Sequence, residues 1–593
     1  MDAHRIAVAW LVWTGVFMTT AAPQAAPTGD SAKLRALFHR EWEHTLRDDP
    51  VFASLQGDAR YGDRWRDESL AAYGARREHA AALMAELDGI DPAGLSETDR
   101  LNKAIFRKQQ ENAHEQLAYR TYLLPVNQMD GIQNITETMS AFPFRDLRDY
   151  HNWLARLESF PAFMDQTILM MREGMRLGLV YPKVIMERVP DQIAAQIVDD
   201  PTTSRFFEPF KKMPETIPAV RRERIVEEAR RAIAAKVIPA YRKFATFFDQ
   251  EYLPACTEKV GVWQLPRGKP MYVFLARKYT TTDLTPEKIH QIGLDEVARI
   301  HAEMEKTIRK TAFEGDFQAF LRFLRTSPQF YDSSPEELLK DYRALSRRID
   351  PQLVRLFKRL PRIPYGVEPI PDNIAPDTTT AYYREPAADG SRAGTYFVNL
   401  YRPEVRPKYE MEALSLHESV PGHHLQIALA MEQKDLPDFR RYTGFTAFVE
   451  GWGLYAESLG EELGFYQDPY SKFGQLTYEM WRAVRLVVDT GIHYLGWTRQ
   501  EAIDFFAKNA AKTKYDITNE IDRYIAWPGQ ALAYKIGELK IKQLRARAEK
   551  ALGDRFDVRD FHDVVLRSGA VPLDILEQDV DTWIADQRRL AGD

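Results

Sequence analysis

A mainly α-helical fold is predicted for this chain by three observations. Apolar residues recur at helical spacing along most of it, Ser and Thr recur where helices would start, and aromatic, β-branched sequence is confined to one short region. In chain order, Leu34, Leu37, Phe38, Trp42 and Leu46 follow one buried helical face. Thr285 before Pro286, Ser334 with Glu337, and Thr498 with Glu501 read as helix starts. A hydroxyl at the N-cap and a Glu at the third position satisfy orphan backbone N–H groups reciprocally. After Thr285, the residues Ile289, Ile292, Val297, Ile300, Met304 and Ile308 form an apolar stripe.

One region departs from this pattern. Between Pro361 and Pro376, prolines and turn residues break every helical repeat. Tyr382–Tyr383 and the run Gly394 to Tyr401 are aromatic and β-branched, which predicts a small sheet or hairpin with residues 387–393 as its loop. An edge strand there could serve as a plain structural hairpin or pair with an extended peptide. The expected division is a signal peptide over 1–26, an N-terminal helical lobe over 27–275, and a second lobe over 276–593 that carries the site chemistry.

Composition narrows the function. A charged start, Met1 to Arg5, precedes an apolar run from Ile6 to Met18 and then small residues. That run is too short to span a bilayer, which takes roughly 20 residues, and reads as an export signal cleaved between Ala22 and Pro27. No cysteine follows the run, so lipid attachment there is not expected. The expected location is periplasmic or secreted, without stable membrane association. Cys256 is the sole cysteine, so an exported chain must rely on its core rather than on disulfides. Net charge is −6 with both signs interspersed, which argues against nucleic acid as a partner.

The densest chemistry lies in HESVPGHH, His417 to His424, which places three of the thirteen histidines and a glutamate within eight residues. His-Glu followed by His is how zinc hydrolases draw two nitrogen ligands and a base from one helix, usually as H-E-x-x-H. Here Pro421 occupies the usual ligand position. On an unbroken helix His423 would point about 120° away from His417, and His424 would sit about 10 Å along the axis. Pro421 has no N–H for the His417 carbonyl and Gly422 tolerates unusual backbone angles, so a broken turn is expected. Such a break can bring His423 or His424 to the second ligand position.

Catalytic zinc commonly takes three protein ligands, so a third must come from elsewhere. In TAFVEGWGLYAE, Thr446 to Glu457, Glu450 sits among Phe448, Val449 and Trp452, an apolar setting in which a carboxylate is rare unless paired or metal-bound. Glu457 is seven residues on, along the same helical face, and could orient a ligating histidine. Further along, Trp527-Pro528-Gly529-Gln530 interrupts a helix, with Arg523, Tyr524, Gln530, Tyr534 and Lys535 recurring around it. A peptidase needs donors for its oxyanion and a cation for a substrate carboxylate, tasks that suit Tyr534 and Arg523. Tyr524, Gln530, Lys535 and Asn399 of GTYFVNLY are expected as substrate contacts.

HESVPGHHLQ, FVEGWGLYAE and RYIAWPGQALAYKIGELKI (Arg523 to Ile541) together resemble the domain of unknown function 885 family, and the early SLQGDARYGDRW (Ser54 to Trp65) is similar to its N-terminal pattern. The resemblance covers most of the mature chain. That family in turn resembles the gluzincin metallopeptidases, which use His-Glu…His and a downstream Glu on a largely helical scaffold with a substrate channel. The resemblance implies His417, His423 and Glu450 as ligands of one zinc ion and Glu418 as general base. The function it implies is an exported peptidase acting on short unfolded peptides. Hydrolysis of a non-peptide amide or ester, and an inactive helical peptide-binding protein, are the alternatives.

Overall fold

The structure is a computed structural model that describes residues 29–590 apart from 373–374, 388–389, 391 and 443, so the expected signal peptide lies outside the described residues. Helices form the framework, as the sequence predicts. Helix Asp30–Asp48 buries Leu34, Leu37, Phe38 and Leu46, while Trp42 stacks on Tyr442. The three start signals all cap helices. Thr285 accepts from the Lys288 N–H, Ser334 from that of Glu337, and Thr498 with Glu501 makes the full reciprocal box. The Ser334 pair is one-sided, because the Glu337 carboxylate accepts from Ser333 Oγ at 2.7 Å instead.

Ten elements position the site: α1 (Pro286–Ile308), β1 (Tyr365–Pro369), β2 (Ala381–Arg384), β3 (Gly394–Val398), α2 (Met411–Glu418), α3 (His423–Met431), α4 (Thr446–Ser458), α5 (Pro469–Thr490), α6 (Lys514–Ala526) and α7 (Ala533–Leu552). Helix α5 is buried all round and packs along α1, while α4 packs along α7. One apolar core runs from Leu34 to Ile584. The boundary expected between residues 275 and 276 falls inside helix Gly268–Thr280, which packs on both α4 and α7.

The sheet is three-stranded in the order β1-β3-β2. Strands β2 and β3 form the expected antiparallel hairpin, with Ala381 opposite Val398. Strand β1 was not expected, since its Tyr365–Pro369 lies in the proline-rich region; it pairs in parallel with β3. Its outer edge is covered, because Arg343 Nε donates to the Val367 carbonyl at 3.0 Å. On β2, the Asn399 N–H donates to the Thr380 carbonyl. By the alternation of an antiparallel ladder, residues 380, 382 and 384 then bond to β3, and the backbone of Ala381 and Tyr383 faces outward.

The C-terminal end of α5 carries a buried joint. Asp489 accepts from Tyr272 Oη at 2.5 Å and from the Gly529 N–H at 3.0 Å, tying the Trp-Pro-Gly turn to the core. Burial pushes its carboxyl up to about 7, above the ordinary aspartate value of about 3.9. A raised carboxyl contributes stability that is fully present below its unfolded value and is lost as pH rises through its folded value. Between those two values stability should therefore carry a falling component that Asp489→Asn removes. Urea unfolding of parent and variant across that interval checks this: the variant should gain on the parent as pH rises, and parallel curves would show that Asp489 titrates normally.

Candidate metal centre

The Pro-Gly break sets the geometry of the centre. Helix α2 ends at Glu418, Ser419 leaves helical angles, and α3 begins at His423. The His424 N–H reaches back to the Ser419 carbonyl and Trp452 Nε1 donates to that of Pro421 at 2.8 Å, so the break is fastened from both sides. Gly422 is required by contact: a Cβ there would lie 1.8 Å from the His417 carbonyl oxygen. Helix α4 crosses just as closely, and a Cβ on Gly453 would lie 2.7 Å from His417 Cε1. The FVEGWG segment thus carries glycine where it touches the imidazole.

His417, His423 and Glu450 converge, with one ligand atom from each lying within 4.8 Å of the others. Glu450 Oε2 stands 3.6 Å from His417 Nε2 and 3.5 Å from His423 Nε2, and makes no hydrogen bond. The two rings are nearly perpendicular at 86°, and both Nε2 atoms approach that one Glu450 oxygen. An orphaned carboxylate oxygen between two imidazole nitrogens fits a divalent cation, and these donor types suit zinc. Behind the centre, Glu457 is wholly buried and accepts from His417 Nδ1 at 2.8 Å, which fixes the tautomer that leaves Nε2 free. Burial alone would lower His417, but Glu450 and Glu457 overcome it and raise it to about 9. Gln426 Nε2 donates to the Val449 carbonyl and lies 3.0 Å from His423 Nδ1, steadying the second ring.

His424 is turned away. Its Nε2 donates to the Ile363 carbonyl at 3.1 Å and its Nδ1 accepts from Tyr383 Oη at 2.9 Å, so both nitrogens are engaged. Burial lowers it to about 4, which keeps it neutral in that role. Of the alternatives left by the broken turn, His423 is the one that faces His417.

The centre opens into a cavity of about 290 Å³, whose walls include Glu418, Tyr534, Arg523, Arg482, Arg485 and the strand residues Thr379 to Tyr383. Tyr534 lies nearly parallel to the His417 ring with centroids 6.4 Å apart, and its hydroxyl accepts from Arg523 Nη2 at 3.4 Å. The other expected contacts lie elsewhere. Lys535 is fully buried among Glu296, Glu479 and Glu538. Asn399 donates to the Ala375 and Thr379 carbonyls and organises the turn beside β2. The Tyr524 hydroxyl is taken by Trp481 and Arg485, and Gln530 braces Arg523 from outside the cavity wall. Sequence reasoning passed over Arg482 and Arg485, two arginines three residues apart in the apolar run EMWRAVRLVV, and that mismatch was the available signal.

Fold and centre together define a large, mainly helical protein with a candidate His-His-Glu metal centre at the wall of a cavity. The chain belongs to the family described as bacterial protein of unknown function (DUF885), which matches residues 50–580. It is similar to the crystal structure of the "putative lipoprotein" from Colwellia psychrerythraea, with a TM-score of 0.89 and 28% identity over 94% of this chain and 100% of that one. A protein of unknown function from Shewanella oneidensis, described in the same words, shares the fold at a TM-score of 0.65 and 16% identity, covering 93% of this chain and 99% of its own. No curated protein matches the chain. Among the described residues, no helix is long and apolar enough to cross a membrane.

The geometry yields a metal-content prediction. His417→Ala, His423→Ala and Glu450→Ala should each lose the capacity to bind a divalent metal ion such as zinc, and His424→Ala should retain it. Glu457→Gln should keep the three ligands but weaken affinity about 10–100-fold, the usual cost of losing a partner that orients a ligand. Elemental analysis and zinc titration of the five proteins check this; zinc retained by Glu450→Ala and lost by His424→Ala would reassign the centre.

Proposed function

We propose that this protein is an exported, zinc-dependent peptidase that hydrolyses short unfolded peptides. The observation that carries the reading is the placement of Glu418. It lines the same cavity as the convergent His417, His423 and Glu450 and directly follows His417 in the chain. A purely structural metal centre has no need of a carboxylate there. A divalent ion held by those three residues would polarise a carbonyl and make water nucleophilic near neutral pH.

The chain's own residues supply the rest. Glu418 takes the proton of the attacking water and returns it to the leaving nitrogen. Tyr534, whose oxygen already accepts from Arg523, keeps its hydroxyl proton free to donate to the developing oxyanion. The outward backbone of Tyr383, and of Ala381, whose carbonyl also accepts from Thr379 Oγ1, lies on an edge strand at the cavity wall, placed to hold an extended peptide by added strand hydrogen bonds. Export is supported by the charged start and apolar run, and by similarity to proteins described as lipoproteins.

Glu418→Gln tests the reading. Glutamine preserves size and one carbonyl oxygen but accepts no proton at neutral pH, so turnover of a mixed peptide library should fall about 10²–10⁴-fold. Zinc content and melting temperature should stay at parental levels. Parental turnover in that variant, or a parent without chelator-sensitive hydrolysis of any peptide, would overturn the assignment. For export, mass spectrometry of the mature protein should find its first residue between Ala22 and Pro27.

A further inference from the structure

The cavity's positive charge is concentrated on one wall. Arg482 lies 3.6 Å from Glu457, which already accepts from His417. Arg485 and Arg523, by contrast, share a single carboxylate. Glu520 Oε2 lies 3.1 Å from Arg485 Nη2, and Glu520 Oε1 lies 3.9 Å from Arg523 Nη1. Two guanidinium groups against one carboxylate leave one positive charge over. Arg485 Nη1 and Arg523 Nε make no hydrogen bond within the protein and are shut off from the cavity, so no internal acceptor quiets the surplus charge. Arg485 is 2% exposed, so water does little to offset that surplus. Glu450 is held between His417 and His423, and a divalent ion there would match its charge together with that of Glu418, which lines the same cavity.

The surplus lies close to the reacting groups. Arg485 Cζ lies 4.4 Å from the Tyr534 ring centroid and Arg523 Nη2 lies 3.4 Å from the Tyr534 hydroxyl, while the same ring lies against His417. Both arginines come from well-held helices. Arg485 is fixed on α5 by Tyr524 Oη at 2.9 Å, and Arg523 on α6 by Gln530. The cavity is near the lower bound of ligand pockets, about 300 Å³, which suits a chain end better than a long segment.

We infer that Arg485 and Arg523 bind the free C-terminal carboxylate of the substrate, so that the cavity takes short peptides by their C-terminal end. This rests on the proposed peptidase reading but is separable from it, because a carboxylate can be bound without being turned over. A carboxylate at the cavity wall that Arg485 and Arg523 line would supply the missing charge, and planar arginine forks suit it. An amidated terminus presents neither the charge nor the second acceptor oxygen.

The test measures binding of short apolar peptides, as free acids and as C-terminal amides, to the zinc-loaded full chain carrying Glu418→Gln, by calorimetry. The free acid should bind at least about 10-fold more tightly, as charge-assisted hydrogen bonds imply. That preference should collapse when Arg523→Gln is added, with the melting temperature confirming the fold. Equal affinity for acid and amide, or no binding of either, overturns the inference without recourse to any arginine variant. Turnover by the wild-type enzyme separates the two claims. Cleavage of end-blocked peptides with no acid preference would keep the peptidase and remove the carboxylate clamp. Acid-selective binding without cleavage would keep the clamp and remove the peptidase.

Discussion

Helix α4 presents Glu450 and Glu457 to the two nitrogens of one imidazole, and that contact constrains the elements around it. The two acids are seven residues apart, nearly eclipsed on a regular helix, so one helix can address both edges of the His417 ring. It must then pass close to the ring, which is why position 453 carries no side chain. It must also be fastened to the break that delivers His423, and the Trp452–Pro421 hydrogen bond does this. Burying two carboxylates beside two imidazoles is costly unless a cation completes the set. His417 shows the same demand from the other side: the acids raise its proton affinity against the effect of burial.

Much of this was legible in the sequence because it is local. The periodicity of Glu450 and Glu457, the disruption at Pro421-Gly422 and the β2–β3 hairpin all follow from residues within a few turns of each other. The choice between His423 and His424 was not local. It depends on Tyr383 and the Ile363 carbonyl, distant in sequence, which together occupy both nitrogens of His424. Strand β1 was hidden for the same reason, since a parallel pairing with β3 leaves no hairpin signal in Tyr365–Pro369. Arg482 and Arg485 were hidden by their setting, because on a helix buried all round the direction of each side chain depends on its neighbours.

Lys535 shows how a residue beside the site can matter without lining it. Its ammonium group is fully buried, 2.9 Å from Glu296 of α1, 2.8 Å from Glu479 of α5 and 2.6 Å from Glu538 of its own helix. Adjacent helical residues diverge by about 100°, so a lysine turned into the α1–α5 interface sends Tyr534 round towards His417. An apolar residue at position 535 could pack there in more than one register, because dispersion contacts have little direction. A buried ammonium group cannot, since any slip that parts it from its carboxylates leaves an unpaired interior charge, a penalty of about 3–5 kcal/mol. Compared with well-packed apolar side chains such a cluster adds little net stability. Its effect lies in excluding the alternative registers of α7, and so in fixing where Tyr534 stands relative to His417.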